Sequence, residues 1–535
     1  MKYLTKLTLP TLLLLVVSYA QAVSYHPADT SANWEVGDTE ILSYLASWRA
    51  GNVTDAYVLN GLAMWKAGAY HYNSTQTCPG CWVVGAGTSG TWSKTFGGLG
   101  DDRGLATAVD SSGNVAVTGY FSGTVNFGGV SFTSQVISGL DPNNYKDIFI
   151  AKYLPTGTHL WSRQLGADAD DIARGIATDG AGNVIVTGGV ENYVDFGDGV
   201  VTGTQGGYDF FVAKYAALDG HLLWKKRYGS GGTEQGNAVT VDGNGDVVVV
   251  GTFQGTVNFG GANLTATGGS TDQDIFIAKY AGVTGEHIWS KHFGAGPSYD
   301  YANAVTIDSG NNILVTGKFY GIANFGGSDL VSAGDYDAFV AKYLPGGAHI
   351  WSKRFGGTLA DNGTSIAVDS LGNVVAGGTF RGTVNFGGVS LASAGGDDVY
   401  LLKYLSDGMT HFWSQRLGSV GTDVANGIKV DSAGNILTTG SFQGTVDFDN
   451  NSVTNNSLTS LGGTDIFMAK YNSSGVYQSA KRYGGTGQDI GSSVALSPID
   501  SSTLLTGSFQ NTVDFGAGNV TSIGGFDAFL LKLNP

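Results

Sequence analysis

The sequence predicts a mainly β protein, a seven-bladed β-propeller that follows a small α-helical hairpin module. One unit recurs seven times, at a nearly constant spacing, from Trp92 to the end of the chain. A fixed period of this kind is typical of repeat architectures. Each unit also contains four short apolar segments separated by turn residues, which is the strand count of one propeller blade. A tryptophan marks every unit except the last, where serine replaces it: Trp92, Trp161, Trp224, Trp289, Trp351, Trp413 and Ser479.

The unit around Trp289 shows the four predicted strands, at 288–294, 303–308, 312–319 and 337–343. Their apolar residues follow one another without strict alternation, which is typical of strands that are covered on both faces. The pattern Asp-x-x-Gly-Asn joins the second and third of these strands and predicts an Asx turn in which glycine adopts a positive φ. The pattern occurs at Asp110, Asp179, Asp369 and Asp431.

The two ends of the repeat tract predict how the ring closes. The tract begins with a tryptophan strand alone, at 91–97, and ends with three strands near 492–496, 503–509 and 526–533. Pairing the first strand with the last three completes a seventh blade and leaves no long free edge. We therefore expect the propeller to occupy residues 91–535.

The repeated pattern reads Asn-x-x-x-Thr-Gly-x-Phe-x-Gly-Thr-Val-Asn-Phe-Gly, then Asp-x-Phe-x-Ala-Lys-Tyr, then His-x-Trp-Ser-Lys. With this pattern, the chain resembles the bacterial and archaeal seven-bladed β-propeller repeat proteins over residues 91–535. The resemblance implies the fold and no particular reaction. A second motif, Thr-Gly-x-x-x-Trp at Thr156 and Thr284, is similar to the tryptophan-docking motif of pyrroloquinoline quinone propellers and outer-membrane assembly propellers. In those families the motif locks neighbouring blades together, so it implies blade stacking here.

The N-terminal segment at 1–22 has the features of a secretory signal peptide. Lys2 and Lys6 precede a leucine-rich run at 9–17, and the small residues Ala20 and Ala22 mark a cleavage site. The apolar run is too short to span a membrane, and no later segment is apolar enough to do so. We expect a secreted, periplasmic or cell-surface protein.

The mature chain is strongly acidic. Without residues 1–22 it has 26 basic and 44 acidic residues, a formal net charge of −18, which argues against nucleic-acid binding. Much of this acidity recurs with the repeat. One acid lies eight residues before the turn position of each unit and is a candidate for an axial ring that holds a cation at one mouth of the central channel: Asp102, Asp171, Glu234, Asp300, Asp361, Asp423 and Asp489.

Lysines and histidines also recur at fixed positions. The lysines either surround an anion near the axis or each pair with a repeat carboxylate, and equal numbers of acids favour pairing. They are Lys152, Lys214, Lys279, Lys342, Lys403, Lys470 and Lys532. Four histidines precede the repeat tryptophan by two residues: His159, His287, His349 and His411. Because they occupy the same position in several blades, we expect them to have a packing role rather than to act as general bases.

Residues 76–90 form the predicted linker, which contains Cys78 and Cys81. In an exported protein this pair is expected to form a disulfide that stiffens the linker. A redox role is the alternative, although no thioredoxin-like pattern surrounds the pair. Haem attachment would require histidine after the second cysteine, where Trp82 stands instead.

Residues 23–75 are predicted to form a small calcium-binding helical module. The segment at 29–40 spaces oxygen ligands as a calcium loop does. The side chains of Asp29, Ser31, Asn33 and Glu40 and the carbonyl of Glu35 supply the ligands. The alternative is an acidic cap on the helix that follows.

Two helices follow this loop, at 36–51 and 53–68, and each places two leucines and a tryptophan on one face. The loop and the first helix resemble dockerin and EF-hand modules over residues 26–72. That resemblance implies calcium as the cofactor. Only one calcium loop is present, whereas dockerins that bind cohesins carry two.

The uniform blades and the absence of a nucleophile elbow, a phosphate loop or a metal-ligand spacing predict an exported, non-catalytic binding or scaffold protein. Its partner is expected to be an extracellular protein or glycan, and the chain is expected to be monomeric. No pyrroloquinoline quinone, haem or nucleotide is expected. The first alternative is an extracellular glycan-active enzyme with a site in irregular loops such as 134–145 and 449–461. The second is an envelope assembly factor.

Overall fold

The computed structural model describes residues 70–72, 82–84, 90–136, 140–203, 206–269, 272–294, 296, 298–450 and 456–535. Backbone contacts divide the chain into two units, Met1–Thr88 and Ser89–Pro535. In the first unit, Tyr70–Tyr72 and Trp82–Val84 pair as a two-stranded antiparallel sheet that the sequence pattern did not predict. The signal peptide, the calcium loop, the two predicted helices and the two cysteines lie outside the described residues. No helix among the described residues is long and apolar enough to cross a membrane.

The second unit is a seven-bladed β-propeller, as predicted. Each blade is an antiparallel sheet whose four strands lie side by side in their order along the blade. The first strand of every blade contacts the first strands of both neighbours, and the seventh blade contacts the first. The first strands therefore surround the axis, and the fourth strands lie on the outside.

The strand bounds are regular from blade to blade. First strands: Arg103–Val109, Asp171–Thr178, Gln235–Val241, Tyr301–Ile307, Asn362–Val368, Val424–Val430 and Ile490–Leu496. Second strands: Val115–Phe121, Val184–Val190, Val247–Gln254, Ile313–Phe319, Val374–Phe380, Ile436–Phe442 and Thr503–Phe509. Third strands: Asp147–Tyr153, Asp209–Tyr215, Gln273–Tyr280, Asp337–Tyr343, Asp398–Tyr404, Asp465–Tyr471 and Asp527–Leu533. Fourth strands: His159–Ala167, Leu222–Tyr228, His287–Phe293, His349–Phe355, His411–Leu417, Tyr477–Tyr483 and, for the seventh blade, Trp92–Phe96.

A small hairpin between the second and third strands of each blade was not predicted. In the first blade it is followed by a 3₁₀ turn, Pro142–Asn144. The hairpins are Thr124–Asn126 with Ser131–Thr133, Tyr193–Asp195 with Val200–Thr202, Thr256–Asn258 with Asn263–Thr265, Ile322–Ala323 with Leu330–Val331, Thr383–Val384 with Leu391–Ala392, Thr445–Asp447 with Ser457–Thr459, and Thr512–Asp514 with Asn519–Thr521.

The phenylalanine that follows the first arm of each hairpin anchors it to the blade. In the first blade, the Phe127 ring stacks on Phe149 with ring centroids 4.2 Å apart. The Tyr153 hydroxyl also donates a hydrogen bond to the Phe127 carbonyl at 2.6 Å. Phe127 is the phenylalanine of the repeated Thr-Val-Asn-Phe-Gly sequence, so packing of the hairpin explains why that sequence recurs.

The seventh blade closes the ring as the sequence predicts. Trp92–Phe96 pairs antiparallel with Asp527–Leu533, with Trp92 opposite Lys532 and Phe96 opposite Ala528. Strands from the two ends of the propeller thus share one sheet. This arrangement ties the first and last strands together without a covalent link.

The Asx turns also form as predicted. Asp110 Oδ1 accepts hydrogen bonds from the backbone N–H groups of Ser112 and Asn114 at 3.0 and 2.9 Å. Gly113 adopts a φ of 79°, a conformation that favours glycine. The corresponding bonds recur at Asp179, Asp308, Asp369 and Asp431.

The blades are held together by apolar cores that lie between them. The buried apolar residues form seven clusters, and each cluster joins side chains of two neighbouring blades. In one of them, Ile150 of the first blade packs with Phe211 of the second. A single blade therefore cannot bury its two apolar faces without its neighbours.

The repeat tryptophan extends this contact to the turn between the third and fourth strands of the next blade. Trp224 Nε1 donates a hydrogen bond to the Gly282 carbonyl at 3.1 Å. A Cβ atom on Gly285, whose φ is 69°, would lie 2.7 Å from the same indole ring. The docking role of the motif is therefore confirmed. The same indole hydrogen bond occurs at Trp92, Trp161, Trp289 and Trp413.

We expect Trp224→Ala to lower the free energy of unfolding by about 3–5 kcal/mol, because it leaves a cavity between two blades. Equilibrium unfolding in denaturant measures this change. The matched control is Leu223→Ala at the neighbouring position, where the side chain is 43% exposed and the cost should stay within about 0.5 kcal/mol. Equal losses for the two variants would contradict docking of the tryptophan between blades.

Candidate functional site

The loops give the propeller two different faces. On one, tight turns join the first strand to the second and the third to the fourth, and we call it the turn face. On the other, the hairpin-bearing loops join the second strand to the third, and further loops lead to the next blade. We call this the loop face. Functional residues predicted from the sequence lie on both faces.

The predicted axial acids lie on the loop face, directly at the start of the first strands, and are at most 1% exposed. Asp102 shows their contacts. Its carboxylate accepts hydrogen bonds from the Gly98 and Ser122 N–H groups at 2.8 and 3.0 Å. Its own N–H donates to the Phe526 carbonyl of the preceding blade at 2.7 Å. The same backbone bond to the preceding blade is made by Asp171, Glu234, Asp300, Asp361, Asp423 and Asp489.

These seven acids therefore cap the loops at which one blade passes to the next. A carboxylate that accepts backbone N–H groups satisfies donors that the loop would otherwise bury. The axial cation site that the sequence suggested for them stays a prediction.

A second set of acids opens the third strands and lies in the same junctions. Asp209 accepts a hydrogen bond from Arg227 Nε at 2.8 Å, and Asp398 accepts one from Arg416 Nη1 at 2.9 Å. In the seventh blade, a Cβ atom on Gly97 would lie 2.1 Å from the Asp527 carboxyl carbon. This close approach explains the glycine that follows the repeat tryptophan strand.

Burial changes the ionisation of both sets of acids. It raises the pKa of Asp102, Asp147, Glu234 and Asp361 to about 7, against the opposing effect of their hydrogen bonds. An acid of one set can also raise the pKa of an acid of the other set. The charge of Asp337, for example, raises the pKa of Asp361 further. The junctions that contain these four acids therefore take up protons near neutral pH.

The repeat lysines pair with acids of their own blades, as the sequence favoured. Lys152 Nζ lies 2.9 Å from Asp110 Oδ2 and donates to the Gly182 carbonyl of the next blade at 2.6 Å. Lys470 makes the longest of these ion pairs. Its Nζ lies 3.8 Å from Asp431 Oδ2, and its side chain is 29% exposed. The other pairs are Lys214–Asp179, Lys279–Asp242, Lys342–Asp308, Lys403–Asp369 and Lys532–Asp500.

The repeat histidines pack beneath the hairpins, as predicted. The ring of His159 meets Tyr153 edge-on at 5.7 Å, and its Nε2 lies 3.2 Å from Ser162 Oγ. His287 and His411 contact serines in the same way. Burial lowers the pKa of His159, with the Lys94 charge adding to the effect.

The inner ring contains a further set of polar residues that the sequence did not reveal. Each first strand has a bulge near its start, and asparagines at several of these positions reach the next first strand. Asn303 Nδ2 donates to the Gly363 carbonyl at 2.8 Å, and Asn426 Nδ2 to the Gly491 carbonyl at 2.9 Å. These amides bridge neighbouring blades around the channel. Their role depends on partners one whole blade further along the chain, which no local pattern indicates.

The described residues contain no group of three or more His, Cys, Asp or Glu side chains arranged to hold a metal ion. The predicted calcium ligands at 29–40 lie outside those residues.

Several clefts on the loop face lie at junctions between blades. One, of about 630 Å³, lies between the third and fourth blades beside Tyr299 and Tyr320. One of about 420 Å³ lies between the first and second blades and includes Asp170 and Glu191. One of about 390 Å³ lies between the sixth and seventh blades beside Arg482. The side chains that line these clefts differ from junction to junction, whereas the capping acids recur.

A family model for the beta-propeller repeat, SBBP, matches residues 160–188 and 350–378. Each match runs from the fourth strand of one blade through most of the second strand of the next. Two repeats of the chain thus match this family, and its second structural unit has the fold of a seven-bladed β-propeller. Seven blades of one repeated pattern account for its second structural unit.

Two curated relatives of this protein are longer than the chain itself. WD repeat-containing protein L264 of Acanthamoeba polyphaga mimivirus is 23% identical, over 80% of this chain and 37% of its own length. The regulatory protein FlaEY of Caulobacter vibrioides is 24% identical, over 50% of this chain and 30% of its own length. The chain thus spans about a third of the length of the curated relatives that it matches.

Among solved structures, the repeat protein is similar to Sqt1 of Saccharomyces cerevisiae. The two are 8% identical and superpose with a TM-score of 0.40, over 83% of this chain and 98% of that one. A similarity of this size carries no information about ligands.

We expect Lys152→Met to lower the free energy of unfolding by about 3–5 kcal/mol, because it leaves the Asp110 carboxylate buried without its ion pair. Lys470→Met is the matched control at the same repeat position, and its exposed, looser pair should cost about 1 kcal/mol or less. Equilibrium unfolding in denaturant measures both. Adding Asp110→Asn to Lys152→Met should recover part of the loss, and equal costs for the two lysines would contradict this account.

The junction acids predict that stability falls as pH rises toward neutrality. A pKa raised by folding contributes stability below the unfolded pKa, near 4, and that stability is lost as pH rises through the folded pKa. The free energy of unfolding should therefore decrease between about pH 4 and 7, and Asp361→Asn should make the decrease shallower. Denaturant unfolding at several pH values measures the slope, and a rise over this interval would contradict the assignment.

Proposed function

We propose that the protein is an exported, non-catalytic binding or scaffold protein. In this proposal the propeller is an interaction platform for an extracellular protein or glycan, and the N-terminal module binds calcium and docks or spaces the propeller. The chain acts as a monomer. The observation that carries the proposal is that recurring and variable residues have different structural roles. Recurring polar residues hold the blades together, and variable residues line the clefts of the loop face.

The recurring residues have little capacity for catalysis, because the acids and most of the lysines are buried and most of their polar atoms are already engaged. The acids accept backbone N–H groups, the lysines pair with turn aspartates, and the histidines pack against tyrosines. A general base needs a free proton acceptor within reach of substrate. Binding needs only a surface of the right shape and chemistry, and the junction clefts supply three such surfaces.

Export and calcium binding are supported by sequence features. The charged, apolar and small-residue segments of the N-terminal stretch at 1–22 follow the order of a signal peptide. The ligand spacing of Asp29, Ser31, Asn33, Glu35 and Glu40 suits a calcium ion, which takes six to eight oxygen ligands. Secretion to the periplasm, the cell surface or the medium agrees with both features.

A second candidate is an extracellular glycan-active enzyme, and the cleft between the first and second blades favours it. Asp170 and Glu191 both line this cleft. Burial raises the pKa of Glu191, and the nearby Asp170 charge adds to the effect. Lys146 Nζ lies 2.5 Å from Asp170 Oδ2 and forms an ion pair with it. Two carboxyl groups in one cleft, one of them with a raised pKa, are elements of glycoside hydrolysis.

We expect the mature chain to bind one calcium ion in a calorimetric titration and the Asp29→Ala, Glu40→Ala double variant to bind none. The variant loses two of the proposed ligands, including the one expected to bind through both oxygens. Asp38→Ala is the matched control, since it removes an acid of the same loop at a position without a ligand role. Binding that persists in the double variant would refute the calcium loop.

The non-catalytic part of the proposal is tested with the same protein on a panel of polysaccharides, esters and peptides. No turnover is expected. Turnover of a glycan that Asp170→Asn or Glu191→Gln abolishes would overturn the proposal and establish the enzyme in its place.

A further inference from the structure

One blade carries a cluster of tyrosines that the propeller framework does not require. Tyr299, Tyr301, Tyr320 and Tyr336 all belong to the fourth blade or the loop that leads into it. Apart from Tyr208 in the second blade, the other six blades have residues other than tyrosine at these places. In the order of Tyr299, Tyr301, Tyr320 and Tyr336, these are Asp101, Arg103, Ser122 and Lys146; Asp170, Ile172, Glu191 and Tyr208; Thr233, Gln235, Gln254 and Gln273; Ala360, Asn362, Arg381 and Asp397; Thr422, Val424, Gln443 and Thr464; and Gln488, Ile490, Gln510 and Phe526.

Three of the four tyrosines line the cleft between the third and fourth blades. The cleft has a volume of about 630 Å³, within the range of about 300–1,000 Å³ that is usual for ligand sites. Tyr299 and Tyr320 are 47% and 45% exposed, so a large part of each side chain is open to a ligand. The ring of Tyr336 lies 5.8 Å from that of Tyr320 and continues the aromatic surface.

Contacts with neighbouring residues hold parts of the cleft wall in place. Lys318 Nζ lies 4.8 Å from the ring centre of Tyr301 and 4.6 Å from that of Tyr336, and so fixes both rings. The backbone N–H of Tyr320 donates to the buried Asp300 carboxylate at 2.9 Å. A surface held in place in this way loses little entropy when a ligand binds.

The charges and rings together define the ligand. Asp272 and the exposed Asp335 line the cleft, and Lys318 lies against the rings of Tyr301 and Tyr336. An anionic ligand would meet like charge. The faces of Tyr299 and Tyr320 offer apolar contact, and the Asp335 carboxylate accepts hydrogen bonds. A sugar ring presents an apolar C–H face together with hydroxyl donors at its edge, and both sets of groups match this surface.

We propose that the cleft between the third and fourth blades binds a neutral oligosaccharide, with sugar rings stacked on Tyr299 and Tyr320 and hydroxyls bonded to Asp335. The proposal deepens the binding function proposed above and rests on it. A basic peptide is the competing ligand, because Asp335 would attract it. The neutral sugar is favoured since the charge of Lys318, which lies against Tyr301 and Tyr336, would oppose a second cation nearby, whereas the exposed rings of Tyr299 and Tyr320 match the apolar face of a sugar.

The test is binding of the full chain to an array of immobilised neutral oligosaccharides, followed by calorimetry with the one that binds best. The Tyr299→Ala, Tyr320→Ala double variant should raise its dissociation constant at least about tenfold, because truncating a stacked anchor costs more than about 1 kcal/mol. Tyr193→Ala is the matched control. Tyr193 is 45% exposed, like Tyr320, but lies on the hairpin of the second blade, and its removal should leave binding unchanged.

The remaining outcomes separate this proposal from the function on which it rests. Binding of lysine-rich peptides with no neutral sugar bound would overturn it, and so would the absence of any sugar binding. Sugar binding that is unaffected in the double variant would place the site elsewhere and leave the binding platform intact. Cleavage of a sugar bound at this cleft would uphold the site and refute the non-catalytic function. Asp335→Asn, which changes only an exposed side chain, should weaken binding about tenfold even where the double variant fails to fold.

Discussion

The mutual covering of neighbouring blades is the constraint on which this structure depends. Each sheet is apolar on both faces, and the seven apolar clusters lie between blades rather than within them. A blade without neighbours would leave those faces in water, at a cost of roughly 25 cal/mol for every Å² of apolar surface. Closing the ring through Trp92–Phe96 and Asp527–Leu533 gives every blade two neighbours. The tryptophans and inner asparagines act at the junctions that this closure creates.

Burial at the junctions decides what the repeated polar residues do. A buried polar group needs a hydrogen-bond partner, and a buried charge needs a paired or hydrogen-bonded one. Asp102 and its counterparts meet this need with backbone N–H groups, and Lys152 and its counterparts with turn aspartates. The same burial raises the pKa of the junction acids toward neutrality. A strongly acidic composition thus reflects the internal framework as much as the outer surface.

Because most of the recurring acids and lysines are buried within the framework, we expect ligand specificity to depend on the residues that differ among blades. On the loop face these residues lie at blade junctions, where loops from two blades meet and leave clefts. Two junctions of the same scaffold therefore have different lining residues. One contains the tyrosines of the fourth blade, and another contains Asp170 and Glu191. A propeller can vary one junction without disturbing the rest, since each junction is stabilised by its own core. This independence suits a protein that presents binding sites.

The sequence by itself determined the number of blades, the four main strands, the Asx turns and the closing strand, because each of these follows from a local pattern repeated seven times. Its period also placed the docking tryptophans and the paired lysines. Only the tertiary structure decided which groups meet across a junction. The contacts of Asp102 with Phe526 and of Asn303 with Gly363 join segments far apart in sequence. The tyrosine cleft was missed for a similar reason, since Tyr299, Tyr320 and Tyr336 come from separate loops that only the folded blade brings together.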